Sequence, residues 1–430
     1  MSFGIPVRNG LSVGVGTLAS LISSSGIGGI RRPTMSLNFL SGSLDSRITF
    51  TRSSSATRVN ASGVIESVTA NTPRFDYDPV TLAPRGLLVE EQRTNLLLRS
   101  EEFDNASWGT AQAIITANAT TSPDGTADAD SIIETTASSA HGVNQTATLS
   151  AVAYTYSAFV KANGRSWVRL FAFQSGPGST SVWFNVSTGV VGTVGAGASN
   201  ATITNFGNGW YRCAFTFTAV AASASLYVQL ATADNGASIY TGDGTSGIFV
   251  YGAQLEAGAF ATSYIPTVAS QVTRTADVAT ITGANFSQWF NAAEGCFVAE
   301  ADTFDTAFPV AVAATGSGAG YTTLQLLTTS APTNSVRFEV GNTTQQADIA
   351  ASVTSRLGPN KWAGAYAANN FAVSANGGAA VTDTSGTVPT VSELRLGRGY
   401  NPSSVLNGHI RSIRYWPTRL PNAQLQALTS

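Results

Sequence analysis

A chain of 430 residues is too long for one small core and leaves room for two or three domains. Only 11% of it is charged, against roughly 25% in an average soluble domain. Lys161 and Lys361 are its only lysines and the formal net charge is −2, which excludes the clustered positive surface that nucleic acid or an anionic membrane requires.

With 43% hydrophobic and 9% aromatic residues the chain has enough apolar surface to fold. Its abundance of Gly, Ser, Thr, Asn and Ala therefore reads as twisted β-structure with many turns, not as disorder. Residues 1–48 are Gly/Ser-rich, with scattered Leu, Ile and Val and no sustained period of 2 or 3.6. Such a segment cannot bury a core alone, so the expectation is an extended arm that gains order on another subunit. Leu11, Val13, Val15, Leu18 and Leu21 would fill successive pockets there, and Arg31-Arg32-Pro33 would mark the exit. The apolar run behind Arg8 is broken by Gly14 and Gly16 and lacks a small-x-small cleavage site, so it is not read as a secretory leader.

Asn60-Ala61-Ser62-Gly63 is turn chemistry ahead of a short strand at Val64-Ile65. Asp76-Tyr77-Asp78-Pro79 bends the chain, and Gly86-Leu87-Leu88-Val89 opens the first core strand. From Asn95 to about Thr267 the pattern is all-β. Tyr211, Cys213, Phe215 and Phe217 share one face, and Leu226, Val228 and Leu230 alternate with Tyr227 and Gln229. Asn208-Gly209 and Asp243-Gly244 are turn signals. From about Thr273 a second β domain follows, with strands expected at Gly295–Glu300, Ser335–Val340, Phe371–Gly377 and Glu393–Gly397. Ile410 and Ile413 break strict alternation, which predicts a bulge. Pro421 suits the first turn of a terminal helix packed through Leu425 and Leu428. Cys213 and Cys296 fall in different domains and read as buried free thiols. No segment is long enough to span a bilayer.

Several blocks carry a family resemblance. FTRSSSAT, RFDYDP and GLLVEEQRTNLLLRSEEFDNASW, between Phe50 and Trp108, resemble a module that recurs in structural proteins of tailed bacteriophages and prophages. YTYSAFVKANGRSWVRL, WFNVSTGVVG, GNGWYRCAFTFTA and YGAQLEAGAFATSYIPT resemble successive strands of a jelly-roll carbohydrate-binding module. LNGHIRSIRYWPTRLPNAQLQALT resembles the closing strand and helix of a concanavalin/laminin-G-like sandwich. Pattern and resemblance together imply an all-β chain with two β-sandwich (jelly-roll) domains in tandem behind an extended N-terminal arm. The expected boundaries are 1–48 for a virion-attachment arm, 49–94 for a phage connector module, 95–267 for the jelly roll and 268–430 for the laminin-G-like sandwich.

For catalysis the sequence is poor. His141 and His409 are far apart and lie in different domains, and there is no phosphate loop, dinucleotide fingerprint or nucleophile elbow. A glycosidase needs two carboxylates facing each other about 5–9.5 Å apart. The acidic clusters, Glu90-Glu91, Glu101-Glu102 and Asp76/Asp78, fall in or beside the connector instead. Sugar binding has a clearer basis, because the apolar face of a pyranose stacks on an aromatic ring while amides and hydroxyls take its hydroxyl groups. Trp108, Trp167, Trp183 and Tyr240 are the candidates in the jelly roll, and Trp289, Tyr400 and Trp416 those in the last domain. No cofactor is expected beyond a structural calcium for which Asp104, Asp243 and Glu256 are conceivable ligands.

The resemblance implies a non-enzymatic virion structural protein: a tail fibre, spike or head-decoration subunit on the exterior of a particle made in the bacterial host cytoplasm. Its partners would be other virion proteins, through the arm, and a host-surface glycan. It would assemble as a homo-oligomer, a trimer by analogy with such appendages. The alternatives are a purely architectural subunit without glycan binding, or a polysaccharide depolymerase.

Overall fold

Period-2 alternation sets the strands. In Trp210–Thr218 the side chains of Cys213, Phe215 and Phe217 face a core, and in Ala222–Ala231 those of Ala224, Leu226, Val228 and Leu230 do so, leaving Tyr227 and Gln229 on the opposite face. The computed structural model describes residues 30–174, 178–220, 222–305, 309–316, 322–329, 334–401 and 403–430. Among these the only α-helices are Ala284–Ser287 and Asn422–Thr429, so the expected all-β class holds. None of the described helices is long and apolar enough to cross a membrane.

The jelly roll consists of two six-stranded antiparallel sheets. One runs in the order Ala198–Asn205, Trp210–Thr218, Ala153–Asn163, Gly247–Ala257, Ala129–Glu134, Ala113–Thr120. The other runs Val190–Val194, Gly178–Asn185, Trp167–Gln174, Ala222–Ala231, Gly142–Leu149, Gly109–Ala111. Tyr156, Val168, Leu170, Phe184, Phe215 and Leu255 belong to the core between them, each contributing about 1.5–3 kcal/mol by its burial. Asn208 and Gly209 take φ of 51° and 81°, the left-handed turn that joins the first two strands.

The second sandwich stacks an eight-stranded sheet on a seven-stranded one. The larger contains Val381–Asp383, Phe371–Ala375, Asn360–Ala367, Glu294–Ala301, Gly408–Trp416, Pro84–Val89 and Arg74–Tyr77, with Met35–Asn38 pairing onto Gly408–Trp416. The smaller runs Thr49–Thr51, Val278–Thr282, Glu393–Leu396, Val310–Thr315, Thr322–Thr329, Ser335–Asn342, Thr344–Ser352.

That membership corrects the expected boundaries. Residues 34–48 are not part of a free arm, because Met35, Leu37 and Phe39 are buried in the same core as Phe297, Trp362 and Tyr415. The connector 49–94 is not a separate module either: Thr49–Thr51 joins one sheet of the second sandwich and Arg74–Tyr77 and Pro84–Val89 the other, while Ala56–Val59 and Ile65–Val68 form a hairpin whose Ile65 packs with jelly-roll residues. The jelly roll is therefore an insertion. The chain enters it through Arg93–Asn95 and leaves through Val272–Arg274, and these two strands pair antiparallel, with Asn95 opposite Val272 and Arg93 opposite Arg274. The proposed attachment residues Leu11, Val13, Val15, Leu18 and Leu21 lie outside the described residues.

Beside this stem sits a buried ion cluster. Arg52 and Arg74 both pair with Asp277, while Arg74 and Arg274 both pair with Glu90, and none of the five side chains is more than 1% exposed. The backbone NH and hydroxyl of Ser263, on the last segment of the jelly roll, each donate to Glu90 at 2.7 Å, and Thr57 Oγ1 donates to the Tyr264 carbonyl at 2.5 Å. Burial alone raises a carboxyl pKa, but Arg274 and Arg74 outweigh it and hold Glu90 well below the usual carboxylate range. Burial pulls Arg74 down, and Asp277 and Glu90 more than offset it. The charged residues of the phage-like blocks, Arg52, Arg74 and Glu90, thus fasten the two domains together.

The smaller expectations fared well. Between Glu300 and Ala301 the register with Gly408–Trp416 slips by one residue, which is the bulge near Ile410. In the terminal helix Leu425 is fully buried and Leu428 packs beside Cys296 and Trp416. Cys213 and Cys296 are free and buried, and burial pushes both thiols up.

Candidate functional site: an aromatic–arginine platform

The second jelly-roll sheet buries Val168, Leu170 and Ala172 of Trp167–Gln174, so the alternate residues Trp167, Arg169, Phe171 and Phe173 stand on its outer face. Register places their neighbours in rungs. Arg169 lies between Trp183 and Gln229; Phe171 lies between Ser181 and Tyr227, with Asn144 beyond Tyr227; Phe173 lies next to Ser225. The Phe171 and Tyr227 rings stack with centroids 5.1 Å apart. The Arg169 guanidinium lies 4.2 Å from the Phe171 ring centroid and 4.8 Å from that of Trp183.

Arg169 is half-buried and the burial lowers its pKa, yet it stays cationic at any ordinary pH. Its Nη2 donates to Ser181 Oγ at 3.2 Å and its Nη1 to Gln229 Oε1 at 3.4 Å, while Nε has no partner. Among the described residues no carboxylate pairs with it. The indole NH of Trp183 is likewise buried without a partner. At one end Gly192 lets the edge strand approach the Trp167 ring and the Asp234 carboxylate, with which a Cβ at this position would collide. Asp234 in turn accepts from the Thr193 NH at 2.7 Å. The result is a face on which Phe173 is exposed and Trp167, Arg169, Phe171, Tyr227 and Asn144 are partly exposed, while Trp183, Ser181 and Gln229 are buried.

Of the residues singled out from sequence, Trp167 and Trp183 both lie on this sheet face, but only Trp167 is partly exposed; Trp183, at 7% exposed, is as buried as Trp289. Trp108 and Trp289 are instead core: they are 4% and 7% exposed, and each indole NH donates to a backbone carbonyl, of Arg99 and Asn285 respectively. Neither has a ring face left for a sugar, and Trp416, 2% exposed, has none either. Tyr240 is half-buried away from the platform. Its hydroxyl donates to Glu134 at 2.7 Å, and its ring packs 4.8 Å from His141. Tyr400 sits in the second sandwich beside Gln325, Arg337 and Glu339, bordering a hollow of about 260 Å³.

The conceivable calcium ligands do not converge. Asp104 is exposed, Asp243 is held by the NH groups of Thr245 and Ser246, and buried Glu256 accepts from Gln254 and Thr262. Among the described residues no group of three or more His, Cys, Asp or Glu is placed to hold a metal. Of the acidic residues considered for hydrolysis, Glu90 is engaged with two arginines, Glu91 with Arg93, Asp78 with Arg85, Glu102 with Arg99 and Asp76 with His409, whereas Glu101 accepts from the Tyr251 and Tyr264 hydroxyls and burial raises its pKa. The sequence reading passed over Arg169, Phe171, Tyr227 and Gln229. The signal was present in the residues that alternate with the core positions of VRLFA and LYVQL.

No protein-family model matches the chain, and no curated protein matches it. Several solved structures show a partial likeness. The CBM40 domain of the Ruminococcus gnavus IT-sialidase, bound to α2,3-sialyllactose, aligns at 18% identity over 33% of this chain and 84% of its own, with a TM-score of 0.28. Domains LG4-5 of the mouse laminin α1 chain align at 10% identity over 67% of this chain and 90% of theirs, with a TM-score of 0.24. The Trypanosoma rangeli sialidase aligns at 11% identity over 70% of this chain and 60% of its own, with a TM-score of 0.28. At such identities and TM-scores the likeness assigns neither a family nor a ligand.

Proposed function

We propose that this chain is a structural subunit on the exterior of a tailed-bacteriophage particle that adheres to a host-surface glycan without turning it over. The observation that carries the adhesive reading is the platform. Stacked and partly exposed Phe171 and Tyr227 offer ring surface, Asn144 offers an amide, and Arg169, steadied by buried Ser181 and Gln229, brings a planar fork of donors. Because no carboxylate among the described residues compensates Arg169, an acidic sugar is favoured over a neutral one. The virion setting is supported by the sequence blocks between Phe50 and Trp108. The non-enzymatic reading draws support from the engagement of Glu90, Glu91, Asp78 and Glu102 in ion pairs with arginines. Residues 1–29 are assigned to attachment, and a trimer to the assembled state. Many weak sites on one particle then gain avidity through effective concentration.

The test is binding of the full-length protein to a glycan array, compared with Phe171→Ala and Arg169→Gln. Retention of acidic glycans by the wild type and weaker retention of them by both variants is the expected result. Equal retention by all three removes the platform from the account.

A further inference from the structure

We propose that the cleft between the two sandwiches is a second sugar-binding site, assembled from both domains and taking a short oligosaccharide. It shares its ligand class with the platform but none of its residues. The cleft encloses about 390 Å³, within the roughly 300–1,000 Å³ of small-molecule sites.

One wall is the outer face of the edge strand Ala198–Asn205, where Ala198, Ala201 and Ile203 pack inward and Thr202 and Thr204 stand exposed in the cleft. The register of this strand slips between Ser199 and Thr202, and Asn200 adopts a left-handed φ of 47°. Bulges of this kind re-aim side chains next to binding sites. The Asn200 amide donates to the Ala259 carbonyl at 2.8 Å and so steadies the loop that carries Phe260. Rings line the cleft from both sides: half-buried Phe206 and Phe260 from the jelly roll, Tyr77 and Phe304 from the second sandwich.

Deeper in, Arg212 donates to the Thr262 carbonyl at 2.6 Å and to Ser157 Oγ at 3.1 Å. Its Nε is buried without a partner, and no carboxylate among the described residues lies at ion-pair distance from it. The Ser263–Glu90, Ser263–Arg74 and Thr57–Tyr264 hydrogen bonds span the same junction, so the cleft is formed before a ligand arrives and little ordering entropy is lost on binding.

Ring faces interleaved with hydroxyls suit a sugar. A lipid chain would need a continuous apolar lining, and Thr202, Thr204 and Arg212 interrupt it. An extended peptide would need a regular strand edge to pair with, and the bulge at Asn200 interrupts the edge at the cleft.

The test uses the full chain on an array of trisaccharides spanning neutral, amino and acidic sugars, including maltotriose, chitotriose and trigalacturonate. The platform is disabled first with Phe171→Ala. Binding that survives this change should fall at least tenfold on adding Thr204→Tyr, which fills the cleft from an exposed strand position, and likewise on adding Phe260→Ala, with the melting temperature unmoved. Survival of that binding in both cleft variants overturns the proposal. So does loss of all binding in Phe171→Ala alone, an outcome that leaves the platform reading intact. Binding that is lost only in the cleft variants sinks the platform and keeps the cleft. An array on which the wild type retains nothing, or capture of an extended peptide blocked by Thr204→Tyr, overturns the cleft as a sugar site.

Discussion

His409 Nε2 lies 2.9 Å from Asp76 Oδ2, joining two residues 333 positions apart in sequence through a ring that is only 1% exposed. Its Nδ1 lies 2.8 Å from Asp302 Oδ1, so the imidazole bridges two carboxylates. Asp76 also accepts from the Val59 NH at 2.7 Å, which ties the hairpin of residues 56–68 into the same link. His409 is therefore an internal cross-link. Burial alone would lower its pKa, but Asp302 and Asp76 outweigh that and push it up to about 9.

The first prediction follows from that direction. A folded-state pKa above the unfolded one contributes stability that is fully present below about 6.5 and fades as pH rises through about 9. The imidazolium bonded to two carboxylates is worth about 3–4 kcal/mol at most, taking 1.36 kcal/mol per pKa unit. The melting temperature of the wild type should fall between pH 6.5 and 9.5 by several degrees more than that of His409→Gln. Parallel curves for the two proteins contradict this.

A second prediction concerns the junction. Replacing Glu90 by Gln leaves Arg274 buried without an ion-pair partner and Arg74 sharing Asp277 with Arg52, and breaking a buried pair in this way costs about 3–5 kcal/mol. Denaturant unfolding of Glu90→Gln should show that loss, together with faster proteolysis near Ser263. A cost below about 1 kcal/mol would mean that the cluster does not fasten the domains.

Truncation separates attachment from folding. Deleting residues 1–29 should leave the melting temperature unchanged and abolish incorporation into the particle. Deleting residues 1–48 should unfold the second sandwich, because Met35, Leu37 and Phe39 are each 1% exposed in its core and large-to-small changes at such sites cost about 2–5 kcal/mol apiece. A stable 49–430 fragment contradicts the pairing of Met35–Asn38 with Gly408–Trp416.

These cases show what the sequence disclosed. Strands such as Trp210–Thr218 were legible because alternation is local and nine residues long. The strand at Met35 was not, because Met35, Leu37 and Phe39 alternate over only five residues and their partners lie at Ile413 and Tyr415. Nothing local reveals that Arg52, Arg74 and Glu90 belong to one ion cluster in the interior. The tryptophans could not be sorted for a similar reason. Trp167 and Trp289 have the same chemistry, and only the tertiary surroundings of each decide that Trp167 stays partly exposed on a sheet face while Trp289 is core. Hence the fold class was readable, whereas the insertion of one domain into the other and the composition of the platform were not.

Tyr240 and Phe171 supply a contrast that tests the sorting of aromatics. Tyr240 is bonded to Glu134 and stacked by Arg165 at 5.6 Å, so Tyr240→Ala should lower stability and leave glycan binding unchanged. Phe171→Ala should do the reverse, weakening binding by about 1–3 kcal/mol, the scale of a base stacked on an aromatic side chain. Binding assays and melting curves on both variants decide it, and an exchange of the two phenotypes would refute the assignment.

The most direct test of adhesion without turnover is one experiment on full-length protein. Surface polysaccharide purified from the host bacterium is titrated with the wild type and with Phe171→Ala, and reducing ends are counted in the same samples. The account predicts saturable binding, weakened about tenfold or more by the substitution, a change of roughly 1.4 kcal/mol or above, and no rise in reducing ends over time. Reducing ends that accumulate with the wild type, or a polysaccharide that the wild type does not bind, would contradict it.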